Sequence, residues 1–474
     1  MTHPGREGAP LRVAIVGAGP TGFYAADHLF RQPGLVVEID MYDRVPTPYG
    51  LVRAGVAPDH QKIKSVTGSF DKVAAQPGFC FFGGVELGRD ISVDDLRAHY
   101  HMLLYTTGAQ TDRRMGIPGE DLRNSHPATE FVAWYNGHPD YRHLTFDLSQ
   151  ERAAIVGVGN VAVDVARILS RTPEELAGTD IADYALEALR ASRIREVYLL
   201  GRRGPAQAAF TNPEAKELGE LADADVTAVP EEVELDDLSR AAMERTGDRA
   251  TKKKVDLLQA YARRTPTGKH RRLILRFLVS PVELLDDGTG AVGGLRLVRN
   301  KLYATDTGTL QPKPTGEFED LPVGLVFRSV GYKGVALPGV PFNDKWGVIL
   351  NEKGRVLDPE SKHPVVGEYT AGWIKRGPTG VIGTNKPDAA ETVVCMMEDL
   401  AADRYLRPRD ASPAAAERLV RARQPLCFSY QDWLQLDEIE VGRGKETGRP
   451  RVKFTRTDDM LAALGRQSGA PRRE

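Results

Sequence analysis

Cysteine is nearly missing from this 474-residue chain: only Cys80, Cys395 and Cys427 occur, far apart and without a CxxC pair. A thioredoxin-like dithiol is therefore excluded within the chain, and three thiolates fall short of the four ligands of an ordinary iron–sulfur cluster. All three read as small buried hydrophobes. Long apolar runs are missing too, with nothing near the ~20 residues that cross a bilayer. The opening MTHPGREGAP has no apolar stretch of the signal-peptide kind. Nor does one sign of charge dominate: 63 Lys and Arg face 65 Asp and Glu, for a net charge of −2, which gives bulk nucleic-acid binding no support. The expectation is a cytoplasmic protein without membrane insertion and with roughly two to four domains.

What is present begins with LRVAIVGAGPTGFYAADHLFRQPGLVVEIDMYD, from Leu11 to Asp43. Val13 to Val16 reads as a strand buried on both faces, and Phe23, Ala26, Leu29 and Phe30 recur at helical spacing. Between them Gly17 permits a tight turn, Gly19 lets backbone approach a pyrophosphate, and Gly22 allows helix to pack closely on strand. The helix N-terminus offers N–H groups to phosphates. A second apolar stretch ends at Asp43, about 20 residues beyond the last glycine, where an acid accepts from a ribose diol. Glycine pairs also make ordinary turns, but strand, turn, helix, strand and acid arrive here in register. A dinucleotide binds, and the acid favours FAD or NAD over NADP.

The following stretch, Arg44 to His60, holds three prolines and two glycines and is expected to be a loop without regular structure, packed against a flat partner such as a flavin ring. His60 at its end is either bonded to backbone or a polar group for proton handling. Phe81 to Leu87 and Met102 to Thr107 read as strands, with a helix from Val93 to Tyr100.

Arg152 to Leu169 repeats the opening pattern, with Ala153 to Val156 as its strand and Gly157-Val158-Gly159-Asn160-Val161-Ala162 as its turn. Its second strand, Glu196 to Leu200, ends in Gly201-Arg202-Arg203-Gly204 instead of an acid. Guanidinium forks match phosphate geometry, so this end is expected to take the 2′-phosphate of NADP. A basic run follows from Lys252-Lys253-Lys254 through Arg263-Arg264 to Lys269-His270-Arg271-Arg272 and Arg276; it reads first as a solvated face and second as an attractor for an acidic protein. Strand-like segments at Leu273 to Leu278, Gly294 to Val298 and Gly324 to Phe327 precede Ser329-Val330-Gly331-Tyr332, where the chain is expected to return to its first domain. Near Trp373 the sequence GWIKRGPTGVIGTN gives a Gly-rich turn before a helix, with Trp373 read as covering a flavin ring.

GAGPTG, TPYGLVRAGVAPDH, GNVAVDVARIL, LLGRRGPAQAAF and GWIKRGPTGVIGTN together resemble the adrenodoxin reductase-like NADPH–ferredoxin reductases, over nearly all of Arg12 to Leu400 and more weakly from Ser429 to Leu464. The resemblance implies an α/β fold of two Rossmann-like dinucleotide-binding domains, the first (FAD) discontinuous and interrupted by the second (NADP): residues 1–108 and 329–474 around residues 109–328. It places FAD against Thr21, Asp43, Leu51, Leu87, Trp373, Gly380, Val381 and Ile382, beside the Gly17, Gly19 and Gly22 turn. It places NADP against Val158, Gly159, Asn160, Val161, Arg202, Arg203, Glu214 and Gly380. It puts His60 and Glu214 at the flavin–nicotinamide junction, and it implies transient, electrostatic docking of an iron–sulfur ferredoxin. One departure stands out: the helix after the arginine pair, Thr211 to Gly219, offers Lys216 as its only cation where the family typically carries several for docking. Flavin monooxygenases share two dinucleotide folds, but their second-site histidine and aromatic signature is missing. A glutamate synthase small-subunit-like channel would carry N-terminal cluster-ligating cysteines. A two-electron flavin oxidoreductase and a redox-sensing protein that binds nucleotides without turnover stay open as alternatives.

Overall fold

The structure is a computed structural model describing residues 3–467. Two parallel sheets carry the two turns. The first has seven strands in the order Asn351–Glu352, Arg355–Leu357, Pro364–Thr370, Met102–Tyr105, Leu11–Val16, Val37–Asp43 and Phe79–Gly83, the first three joined antiparallel and the rest parallel. Every residue of Leu11–Val16 is buried, because helices cover both sheet faces. Phe23, Ala26 and Leu29 of the helix Pro20–Phe30 are fully buried against it, and Phe23 stacks on Phe70 at 4.9 Å. Burying each such large side chain contributes roughly 1.5–3 kcal/mol.

The second sheet has six parallel strands in the order Ser125–Pro127, Leu325–Arg328, Arg152–Val156, Glu196–Leu200, Arg271–Arg276 and Ala224–Ala228. An antiparallel three-stranded sheet, Val279–Asp286, Val292–Ala304 and Leu310–Leu321, stands beside it. In each parallel sheet the strand before the glycine turn lies between one neighbour that follows it in sequence and one reached by a long return. That is the crevice where such sheets take their ligands. The two crossings of the chain between the sheets meet as a ribbon of Thr111–Asp112 with Tyr332–Lys333.

Two sequence expectations need correction here. The stretch from Arg44 to His60 is not wholly irregular: Leu51–Ala54 forms one helical turn, since its prolines flank those four residues and Gly50, at φ 50°, turns the chain into them. The strand expected from Phe81 to Leu87 runs instead over Phe79–Gly83, because Gly84 turns at φ 73° and Gly83 bridges to Phe428. Among the described residues no helix is long and apolar enough to cross a membrane, and all three cysteines are free.

Candidate functional site

The first turn shows what each glycine does. A Cβ on Gly17, at φ 111°, would lie 2.6 Å from the Thr106 carbonyl oxygen; one on Gly22 would lie 2.4 Å from the Gly17 carbonyl oxygen. Gly19 is different: a Cβ there meets nothing within 4 Å, so no protein contact demands glycine and the backbone is left open to a ligand. Asp43 sits at the end of the second strand, its two carboxylate oxygens accepting from Ala18 N–H at 2.8 Å and Val45 N–H at 3.1 Å. Tyr49, held at φ 83°, donates its N–H to Ala18 O at 2.8 Å and lays the next corner over this turn. Leu51 follows with 38 % of its surface exposed, an apolar side chain presented without a protein cover, while Leu87 is buried in the core beneath.

The wall opposite comes from the returning chain. Gly372 packs so tightly on Thr21 that a Cβ would lie 2.4 Å from the Thr21 hydroxyl, and its N–H donates to Asp388 at 2.5 Å. Asp388 also pairs with Lys375 and Arg376, which pins the one-turn helix Trp373–Arg376. Half-buried Trp373 donates its indole N–H to Thr379 O at 3.1 Å and lies 5.4 Å from the ring of Tyr332. Gly380, at φ 81°, and Val381 are exposed, and Ile382 is half-buried.

The second turn repeats the device. A Cβ on Gly157, at φ 133°, would lie 2.2 Å from the Ser329 carbonyl oxygen, and Gly159 again has nothing within 4 Å. The helix Asn160–Ser170 starts here, with Val158 O accepting from Ala209 and Phe210 N–H and Asn160 Oδ1 from Thr211 N–H. Val161 is half-buried on the first turn of that helix. Arg202 is exposed and Arg203 half-buried, and neither meets a carboxylate among the described residues. Burial, then the adjacent Arg202 charge, lowers Arg203 from its ordinary value. Two uncompensated guanidiniums at one strand end favour a multiply charged anion.

Between the turns lies a buried ionic cluster. Its members come from the loop Ala57 to His60 on one side and from the helices Asn160–Ser170 and Asn212–Leu218 on the other. His60 Nε2 lies 2.8 Å from Glu217 Oε2, and His60 Nδ1 lies 3.9 Å from Asp164 Oδ1. Arg167, with no exposed surface, donates to Asp59 at 2.7 and 3.0 Å and to Asp164 at 2.8 Å, and Arg171 adds a third bond to Asp59 at 2.8 Å. Burial would raise Asp59, but Arg167 and Arg171 hold it at about 2; burial wins at Asp164, pushed up to about 6 despite Arg167. The hydroxyl of buried Tyr135 has no hydrogen-bond partner among the described residues.

Among the described residues Glu214 and His60 share no hydrogen bond. Glu214 closes a capping box at its helix N-terminus, accepting from the Thr211 N–H at 3.1 Å and from the Thr211 hydroxyl. The carboxylate that meets the His60 ring is Glu217, one turn on. Glu217, Asp164, Arg167 and Asp59 are residues that the sequence reading missed. Asp164 and Arg167 had a signal: two charges three apart on a helix whose neighbouring positions are apolar. The basic run is likewise not one face. Lys252 pairs with Asp256 at the surface, Lys254 donates to the carbonyls of Ala208 and Phe210, and Arg276 is buried against Glu232 and Glu319.

Comparison with known proteins agrees with this architecture. The family model described as pyridine nucleotide-disulphide oxidoreductase matches residues 11–217. The NADPH-ferredoxin reductase FprA of Mycobacterium tuberculosis is 45% identical over 462 residues, covering 95% of this chain and 98% of that one. The mitochondrial NADPH:adrenodoxin oxidoreductase of Homo sapiens is 42% identical over 466 residues, covering 96% and 92%. The solved structure of the mycobacterial protein in complex with NADPH superposes with a TM-score of 0.90 at 44% identity, covering 96% of this chain and all of the other (100%). The chain belongs to the adrenodoxin reductase-like family of NADPH–ferredoxin reductases.

Proposed function

We propose that this chain is an NADPH–ferredoxin reductase, with FAD at the Asp43 turn and NADP at the Arg202–Arg203 turn. One observation carries the reading: two glycine turns of the same build end in opposite charge, an acid for a ribose diol and an arginine pair for a 2′-phosphate. The residues present fit both dinucleotides, since Gly19 and Gly159 leave open backbone where phosphates approach and Leu51 offers an apolar surface beside the first turn. FAD held there would supply the chemistry that side chains lack, the exchange between one two-electron hydride donor and two one-electron acceptors, with one proton freed per NADPH.

The chain's own part is positioning. Asp43 orients the first ribose, Gly17, Gly19, Thr21 and Gly22 shape the phosphate seat, and Leu51, Leu87, Trp373, Gly380, Val381 and Ile382 wall the ring. Val158, Gly159, Asn160 and Val161 present the second phosphate seat to Arg202 and Arg203. His60, held by Glu217 and faced by Asp164, orients or exchanges a proton at the junction. We divide the chain into a first domain of residues 1–108 and 329–474 and a second of residues 109–328, a division supported by the separate sheets on either side of the Thr111–Asp112 and Tyr332–Lys333 ribbon. Three free cysteines support a cytoplasmic setting. Docking of the acidic ferredoxin is transient and electrostatic, as small redox contacts are. Anaerobic mixing of the purified protein with NADPH and a ferredoxin tests the whole: ferredoxin reduction that needs NADPH supports it, and a colourless protein, or one that NADPH leaves yellow, overturns it.

A further inference from the structure

We propose that the C-terminal segment from Tyr430 to Thr455 is a strap that positions the loop carrying Leu51 and His60 against the second domain, with Lys453 and Glu440 as its positioning residues. The loop's front faces the site; its back is held by this segment together with Asp71, which accepts from the Tyr49 hydroxyl, and with Phe23 and Phe70, which pack on the Tyr49 ring. Strained Tyr49 hydrogen-bonds through its hydroxyl with Tyr430 at 2.9 Å and with the Trp433 indole N–H at 3.2 Å. Gly50 is so close to the first turn that a Cβ would lie 3.0 Å from Gly19 Cα. Arg53, two residues past Leu51, donates to both oxygens of fully buried Glu440 at 2.8 and 2.5 Å and lies 4.9 Å over the Trp433 ring. Burial alone would raise the Glu440 carboxyl, but Arg53 and Arg451 keep it below its ordinary value.

The far end of the loop is tied through Lys64, four residues past His60. Its ammonium grips Asp180 of the second domain at 2.7 and 2.8 Å, and Lys453 of the strap reaches the same carboxylate at 3.2 Å. Lys453 also donates to the Arg53 carbonyl at 3.3 Å and to the Asn136 carbonyl at 3.2 Å. One buried amine thus touches the loop, the second domain and the loop's own anchor. Arg449 extends the strap by donating to the carbonyls of Thr179 and Ile181. His60 therefore lies between two fixed points, and it meets Glu217 and Asp164 only while both hold.

Stability alone does not account for the arrangement. Two amines share one carboxylate in the interior, where an apolar side chain costs less. Burial pushes Lys453 well below the ordinary lysine range although Asp180 opposes the shift. What the amine provides is a set of directed donors spanning three segments.

The inference rests on the reductase reading, and its test separates the two. Lys453→Met in the full-length holoenzyme leaves Lys64 and Asp180 as one neutral pair, so the fold should persist. At saturating NADPH, anaerobic bleaching of the flavin should slow about tenfold, a barrier of ~1.4 kcal/mol. The NADPH concentration at half-maximal rate should stay within about twofold, which a general loss of structure would not preserve. Amide hydrogen exchange of residues 49–64 should rise while that of the strands Leu11–Val16 and Arg152–Val156 stays unchanged. Glu440→Asp should restore an intermediate rate relative to Glu440→Gln. A Lys453→Met protein with wild-type bleaching and wild-type exchange overturns the strap. Should that variant not fold, Arg449→Ala takes its place with the same readouts, and wild-type values there overturn it equally. A wild-type protein that NADPH does not bleach overturns the reductase reading instead, and the exchange arm then decides the strap by itself.

Discussion

At the end of Leu11–Val16, Gly17 and Gly22 are pressed against backbone, Thr21 is covered by Gly372, and the Tyr49–Gly50 corner closes over Gly19. At the end of Arg152–Val156, Gly157 is pressed just as hard against Ser329, yet Arg202 stands exposed and both arginines lack a carboxylate partner among the described residues. The backbone device is shared; the surroundings differ. A seat roofed by two later segments suits a cofactor that stays, whereas an open seat with unspent positive charge suits a nucleotide that enters and leaves each cycle. Ligand residence is thus written in what covers the turn, and ligand identity in the charge at the end of the next strand.

The most severe way to break this comparison is to disable each turn separately. Gly17→Ala sets a methyl 2.6 Å from Thr106 O at φ 111° and should cost ~3–5 kcal/mol. The purified protein should lose its flavin absorbance. Gly157→Ala, 2.2 Å from Ser329 O, should keep the flavin yellow while NADPH no longer bleaches it. Loss of flavin from both would show that the turns do not act independently.

Next in size, Arg202→Ala with Arg203→Ala should raise the KM for NADPH about 100-fold, or ~2.7 kcal/mol for two charge-assisted contacts, with NADH unaffected. Equal changes for both nucleotides would remove the 2′-phosphate from the account. The two glutamates one turn apart sharpen the junction. Glu217→Gln should slow flavin reduction about tenfold, since a hydrogen bond to a charged group contributes roughly 1.5–3 kcal/mol. Glu214→Gln should cost only about 1 kcal/mol of stability as a weakened cap, measured by denaturant unfolding, and leave that rate alone.

Asp59 in the cluster between the turns and Asp180 beside Lys64 and Lys453 together fix an acid limb. Asp59 and Asp180 are both held at about 2 in the fold, below their ordinary value. A depressed carboxyl contributes stability that is complete above its unfolded pKa of about 3.9 and is lost as pH falls through the folded value. Unfolding free energy should therefore drop between pH ~4 and ~2, and Asp59→Asn should flatten that limb by about 2 kcal/mol. Asp164 has the opposite sign: held at about 6, it favours the fold when protonated, and its contribution fades as pH rises through that value. The smallest effect belongs to Lys252 and Lys253. Replacing both with alanine should change the KM for ferredoxin by about twofold at low salt and leave a small one-electron acceptor unaffected. Lys254→Ala should behave differently, because its amine props the carbonyls of Ala208 and Phe210 beside the second turn.

Both turns were legible because strand, glycine turn and helix impose short-range periodicities that one stretch of chain displays by itself. Thr211-x-x-Glu214 carried a signal that the sequence reading did not use, a capping box that ties that carboxylate to its own helix end. The one-turn helix at Leu51 was hidden by its prolines, and the third strand of the antiparallel sheet, Leu310–Leu321, by polar residues suited to an exposed edge. The least legible part was the strap. Arg53 with Glu440, and Lys64 and Lys453 with Asp180, are isolated long-range contacts, and neither composition nor spacing reports which distant charges meet.

The central claim is that electrons enter at the arginine turn, pass through the flavin at the Asp43 turn and leave one at a time. An anaerobic spectral titration tests it most directly. The account predicts that one NADPH per flavin bleaches the protein, that NADH at equal concentration does so far more slowly, and that two oxidised ferredoxins per flavin then restore the yellow colour. Bleaching that NADH matches, or a reduced flavin that ferredoxin leaves colourless, would contradict it.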